Sequence, residues 1–411
     1  MRKYLYAAAA LAAPIAFAHP ALAAPGDPVK VGDGLSIDPI IDGRLRYEHV
    51  DQPATDADAL TLRLRAGIEV KHTSGLALLA EGEGTLALTD NYNAFPFAIA
   101  DKQRRTAYSV IPDPMNVELN RLQLQYKSKA VTLTVGRQRI NLDDQRFVGA
   151  VGWRQNEQTF DAVRAEAKIG PISLDGTYAI GQRTIFGIDG GPRAAYGGDF
   201  VLLGAGVKAG PVTVKAFTYL LDYDEAFFFA NSSQTYGLRA VATLPLGGAT
   251  KLNLAASYAR QMDYGTNPGD YAADYIAAEA STTLSGVTLT GGYELLGSSK
   301  GRSFQTPMAT LHKFNGWADL FLTTPAAGLQ DIYGGIAYKF AAIKALPGLN
   351  AAVTYHRFNS DLGNLRYGDE WDASLGFKLG RVTLLAKFAD YNAKGFGVDT
   401  RKVWLQAEFA Y

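Results

Sequence analysis

Arg44 and Arg46 stand two residues apart in "GRLRYE", and Arg63 and Arg65 repeat that spacing in "LRLRAG". In an extended strand this spacing puts both guanidinium groups on one face. Arg121, Arg164, Lys168, Lys215 and Arg239 hold the same kind of position in later segments. Glu48, Glu69, Glu81, Glu83, Glu118, Glu166, Glu279 and Glu294 supply the opposite charge. Such a set can do one of two things. Its members can pair across neighbouring strands and simply keep an interior polar. Alternatively, a basic cluster at a narrow point can attract and select anions.

Catalytic chemistry finds little support. The chain has no cysteine, so it offers no disulfide, thiolate nucleophile or thiolate metal site. His49 and His72 sit at strand ends, His312 in a long loop, and His356 on an inward parity. Neither H-E-x-x-H nor a convincing G-x-S-x-G is present. "GAGVKAG" (204–210) ends a strand rather than opening a helix. Asp222, Asp224 and Glu225 in "LDYDEA" could meet a hard cation, but the spacing lacks the glycine and distal glutamate of a calcium loop. A solvated loop face is the favoured reading. We expect no catalytic residue, no metal and no cofactor. Formal net charge is +0, which gives no hint of nucleic-acid binding.

The arginines need elements to hold them, and the sequence names the elements. In "LTLRLRAGIEVKH" (60–72), Leu60, Leu62, Leu64, Ala66, Ile68 and Val70 share one parity, while Thr61, Arg63, Arg65, Glu69 and Lys71 share the other. Comparable alternation runs from Ile41–Val50 to 401–411, in about eighteen segments of strand length. Tilted strands of about nine to eleven residues cross a bilayer. Connections alternate between tight turns ("SG" 74–75, "SKA" 128–130, "GP" 170–171 and 210–211, "SG" 285–286, "GR" 380–381) and longer loops. That rhythm predicts an all-β, transmembrane, antiparallel up-and-down barrel with leucines toward lipid and arginines toward the lumen. A soluble sandwich has no reason to sort loop length by side.

The ends agree with export. Residues 1–23 combine Arg2 and Lys3, a short apolar core and a small-residue ending at Ala21–Ala23, the pattern of a cleaved signal peptide. No later apolar run is long enough for a transmembrane helix. Residues 24–39 read as a lead and 40–411 as the barrel. In the last segment Val403, Leu405, Ala407, Phe409 and Tyr411 share one parity. An aromatic carboxyl-terminal strand is similar to the signature that the outer-membrane assembly machinery reads. The expected location is the outer membrane, with lipid as neighbour. Two long loops, 91–116 and 298–330, are aromatic enough to fold over or into the lumen.

"NRLQLQYKSKAVTLTVGRQRINLDDQRFVGAVGWRQNEQTFDAVRAEAK" (120–168) and "FQTPMATLHKFNGWADLFLTTPAAGLQDIYGGIAYKF" (304–340) resemble the alginate export family of outer-membrane channels. The resemblance implies eighteen strands and passage of an anionic uronate polysaccharide, other anionic sugars or small anions past an arginine-rich constriction. Arg121, Arg137, Arg139, Arg146 and Arg154 match the basic part of the first block, with Arg121 and Arg137 foremost. Arg137 and Arg139 share the parity of Val131, Leu133 and Val135. They face inward only if a bulge near Gly136 resets the strand, or if they lie above the membrane. A non-selective diffusion porin and, from another class, a barrel hydrolase are the alternatives.

Overall fold

The oily face looks out. Leu64 is 52% exposed, whereas its neighbour Arg63 is 0% exposed. Leu62, Ile68, Leu122, Leu124, Leu203 and Leu405 join Leu64 on the exposed side. The computed structural model describes residues 28–248 and 250–410. The expected signal peptide and Tyr411 therefore lie outside the described residues.

Eighteen strands build the wall. The first six are β1 (Leu35–Asp51), β2 (Asp56–His72), β3 (Leu76–Ala87), β4 (Asn116–Lys127), β5 (Val131–Gln138) and β6 (Thr159–Ile169). Then come β7 (Ile172–Arg183), β8 (Ala195–Ala209), β9 (Val212–Tyr223), β10 (Ser233–Gly247), β11 (Thr250–Asp263) and β12 (Ala272–Leu284). The last are β13 (Val287–Leu296), β14 (Leu329–Lys339), β15 (Asn350–Asn359), β16 (Arg366–Leu379), β17 (Val382–Ala393) and β18 (Thr400–Ala410). Each pairs antiparallel with the next. β1 closes the ring on β18 from Asp42↔Ala410 to Asp51↔Arg401. Closure leaves no sheet edge to face hydrocarbon.

Three details depart from the sequence reading. β1 starts at Leu35, inside the expected lead, and a short ribbon, Val29–Gly32, pairs with its first residues. The connection between β1 and β2 is only residues 52–55, although it lies on the long-loop side, while residues 340–349 make a longer crossing on the turn side. β5 ends at Gln138 instead of reaching residue 141.

The early end of β5 shapes the wall. The β4–β5 ladder runs only from Leu122↔Arg137 to Lys127↔Thr132. Above it the chain leaves the wall and enters the lumen, so Asn116–Arg121 of β4 has no ladder partner on that side among the described residues. Side chains close the seam instead. Arg137 Nη1 donates to the Leu119 carbonyl at 3.0 Å, Arg183 pairs with Glu118 at 2.7 Å, and the Ile188 amide donates to Asn116 Oδ1 at 3.1 Å.

A charge on the outer face tests the orientation. Leu64→Arg is expected to cost about 2–4 kcal/mol of membrane-inserted stability, as basic residues do at the midplane. Urea unfolding in lipid vesicles measures it; Gln123→Arg, on the inner face of β4 between the exposed Leu122 and Leu124, serves as the contrasting position.

Candidate functional site

Residues 139–158, between β5 and β6, fold into the lumen. Ile140, Leu142, Val148, Trp153, Gln155, Asn156 and Glu157 are buried there. The inward arginines of β1 hold the returning arm by its backbone. Arg44 Nη1 donates to the carbonyls of Gly152, Trp153 and Arg154 at 3.0–3.2 Å. Arg46 Nη2 donates to the Trp153 carbonyl at 2.6 Å, and its guanidinium lies 4.0 Å from the centre of the Trp153 ring. Gln155 Nε2 donates to Thr61 Oγ1, and Thr85 Oγ1 to Asn156 Oδ1.

Below this arm three arginines and three glutamates interlock. Arg65 pairs with Glu83 and Glu157; Arg121 reaches Glu81 through both Nε (2.9 Å) and Nη2 (2.6 Å); Arg139 pairs with Glu157 and Glu81. Arg63 pairs with Asp42 and Glu408. Buried charges are tolerable only when paired in this way. Burial alone would raise the Glu157 carboxyl, but Arg139, Arg65 and Arg121 outweigh it and hold it down to about 2.

The sequence-predicted arginines thus divide. Arg44, Arg46, Arg63, Arg65, Arg121 and Arg139 come together. Arg121 faces inward because a bulge opposite Glu81 and Gly82 turns both Asn120 and Arg121 to the lumen. The bulge at Gly136, one of the two conditions under which Arg137 would face inward, does not form. Gly136 takes φ 113°, where a Cβ would meet the Leu122 carbonyl, yet Val135 stays exposed and Gln138 buried. Arg137 accordingly remains on the outer face, paired with Asp161 at 2.8 Å. Its assignment to the lumen is corrected. Arg139 reaches the cluster because the chain has already turned inward after β5. Arg164 faces the lumen but stands apart, paired with Asp175 at 2.5 Å and Glu166 at 2.9 Å.

A second loop, 297–328, enters from the opposite wall, held by carboxylates. Glu370 accepts the Ala318 amide at 2.7 Å and Asp372 the Trp317 amide at 3.2 Å, both on β16. Arg146 of the first loop meets Glu294, Thr306 and Asn315. Where the loops meet, Lys387 of β17 lies 3.6 Å from the Trp317 ring centre, 4.0 Å from that of Trp153 and 5.3 Å from that of Trp404. His312 stacks on Trp153 at 4.5 Å. Burial pushes its imidazole well below the usual histidine range, against the pull of Asp319. Neutral His312 donates from Nδ1 to Asp319 (2.8 Å) and accepts from Lys387 at Nε2 (2.7 Å). Sequence reading missed Glu370, Asp372, Lys387 and this loop partnership. The available signal was the inward parity of Glu370, Asp372 and Lys387 on their strands.

The remaining singled-out residues have local roles. Loop 91–116 forms its own small core of Tyr92, Ala94, Phe95 and Ile111 against Val50, Ala57 and Ala59. Asp222 accepts from Thr266, and Glu225 from the Gly197 amide. His72 Nδ1 meets Ser74 Oγ at 2.8 Å, but the Ser74 amide also donates to that nitrogen, which makes the contact a turn cap.

The family model for alginate export matches residues 91–180, which contain the in-folded arm and the Arg121–Arg139 cluster. Among curated proteins none matches the chain. In three dimensions the chain is similar to Acinetobacter baumannii OccAB4, with TM-score 0.70 and 13% identity over 91% of this chain and 98% of that one. It is also similar to Pseudomonas aeruginosa OpdK, in a structure with vanillate, and to OccK2 (OpdF) of the same organism, in complex with glucuronate. Each has TM-score 0.68 and 15% identity, over 91% and 98% of the two chains. The fold is that of outer-membrane porins. On that fold, residues 91–180 carry the match to the alginate-export model.

Two outcomes follow from the docking geometry. Replacing Arg44 and Arg46 together by Ala unfastens residues 152–154, and single-channel recordings are expected to show larger, noisier conductance than wild type. For Glu157 the depressed carboxyl stabilises the docked arm fully above the ordinary value of about 4.5. That contribution falls as pH drops below this value and is gone near 2. Opening events should therefore be constant from neutrality to mild acid and rise at lower pH, and Glu157→Gln should remove that component of the pH dependence.

Proposed function

We propose that this barrel is a passive channel for small carboxylate-bearing anions, acidic sugars foremost, narrowed by its two in-folded loops. One observation carries the sign of the charge. In the central cluster the Arg121 and Arg139 side chains keep 12% and 10% of their surface exposed, whereas Glu81 keeps 1% and Glu157 2%. The arginine side chains are the more accessible partners and the carboxylates the more buried ones. An anion in the lumen therefore meets donors first, although the cluster is nearly balanced in formal charge. Arg is suited to this because its planar fork binds a carboxylate through two parallel hydrogen bonds.

Two of the structural neighbours were solved with vanillate and with glucuronate, each a carboxylate. That chemistry agrees with the exposed guanidinium edges. The alginate-type match extends the substrate class toward uronate chains. A polymer of that kind would require the loops to withdraw, since Arg46 and Arg63 of the wall are fully buried and the arm's own Gln155 and Asn156 are fully buried against the wall. Transport is diffusion down a gradient, with attraction by the lumen cations raising local anion concentration. Lipid covers the leucine belt, and the β18 segment is the portion offered to the assembly machinery. Arg121, Arg139, Arg65, Arg63, Arg44 and Arg46 are the residues to which we assign the pathway. The first two contact the permeant, Arg44, Arg46 and Arg65 fix the arm that narrows it, and Arg63 pairs with Asp42 and Glu408 of the wall.

Reversal potentials across a salt gradient, in planar bilayers, test this reading. Wild type is expected to prefer anions, and Arg121→Ala with Arg139→Ala to lose most of that preference while still forming channels. Cation preference in wild type would sink the proposal; equal permeability would favour the non-selective porin.

A further inference from the structure

Lys215 of β9 and Arg239 of β10 stand directly opposite one another in register. Like charges in that position repel. Both find counter-charges on the in-folded loop. Lys215 Nζ lies 3.0 Å from Asp143 Oδ2, and Arg239 Nη1 lies 2.9 Å from Asp144 Oδ2. Arg239 Nη1 also donates to Ser257 Oγ at 3.0 Å. A third cation, Lys313, donates to the main-chain carbonyl of Asp144 at 2.8 Å. Two adjacent carboxylates at the loop's tip thus occupy a place built from three cations.

The place is reachable. All four side chains of the two ion pairs keep part of their surface exposed, unlike the sealed arginines beneath the returning arm. The wall is cleared there as well, because a Cβ at Gly204 would lie 2.5 Å from Lys215 Cε. The loop backbone is fixed independently of the pairs. The Gln145 amide donates to the Leu142 carbonyl and the Gln145 carbonyl accepts from the Thr310 amide, while Phe147 packs on Phe217, Tyr219 and Tyr275. Asp143 and Asp144 can swing away at their side chains without undocking the loop.

We propose that Lys215 and Arg239 form a binding site for the carboxylates of the permeant, filled in the resting channel by Asp143 and Asp144, which the permeant displaces by competition. The inference rests on the anion reading above and deepens it. A single carboxylate displaces one aspartate. An acidic sugar chain with carboxylates on successive units can displace both, so oligomers bind better than monomers.

The test uses the full-length channel in planar bilayers with D-glucuronate as probe, reading the concentration that half-blocks the current. Freeing the site of its competitor in Asp143→Asn with Asp144→Asn is expected to lower that concentration by about tenfold, since apparent affinity scales with the fraction of free sites. Adding Lys215→Gln and Arg239→Gln to the double variant should abolish the gain. Asp143→Asn alone should give an intermediate shift and serves if the double variant does not insert. An unchanged half-blocking concentration on removing the aspartates, or a gain that survives loss of Lys215 and Arg239, would overturn the proposal. The ion preference of wild type is read separately, so a channel that selects anions yet shows no response to the aspartate changes defeats this inference alone.

Discussion

Hydrocarbon supplies no hydrogen-bond partner, so each backbone amide and carbonyl in the lipid-facing wall has to be satisfied by a neighbouring strand or by a side chain that stands in for one. The ring from β1 to β18 meets this demand almost everywhere. Among the described residues it falls short where β5 stops and its connection dives inward, and there the Arg137 guanidinium takes the Leu119 carbonyl. The same departure that weakens the wall brings residues 139–158 into the lumen. One local economy in the ladder therefore sets both the seam and the constriction.

Inside, the two halves of the wall grip the two loops by complementary chemistry. The arginines of β1 are donors only, so they take backbone carbonyls of the first loop. Ionised Glu and Asp side chains are acceptors only, so the β16 pair takes backbone amides of the second. Formal charge within the lumen nearly cancels, and selectivity has to come from which partner of each ion pair stands nearer the water. That is a matter of depth, not of count, and composition alone cannot reveal it.

Much of the fold was legible because alternation has a period of two and membrane strands obey it strictly. Leu62, Arg63, Leu64 and Arg65 declare their faces without help. Faces near irregularities were not legible. Arg121 reaches the lumen through a bulge at Asn120–Arg121, opposite Glu81 and Gly82, whereas no bulge forms at Gly136 and Arg137 stays outside. The in-folded loop was also concealed. "DDQRFVGAVGWRQNEQTF" looks like a polar connection, because the run from Gln155 to Gln158 is made of groups that ordinarily face water. Here they are buried against Thr61, Thr85 and Glu83, in a lumen that offers as many polar partners as water does.

The junction at Lys387 makes the two loops a single unit. Trp153 belongs to the first loop, Trp317 and His312 to the second, and Trp404 to the wall, and all four rings surround one ammonium group. An ammonium over several aromatic faces is held by their quadrupoles, and the more so where water is excluded. Withdrawing either loop strips Lys387 of part of that cage. The two loops therefore share one contact on the wall, and releasing either loosens what holds the other. Asp143 and Asp144 take no part in that cage: they pair with Lys215 and Arg239 of the wall, so the ion pairs of the loop tip and the aromatic junction are separate fastenings.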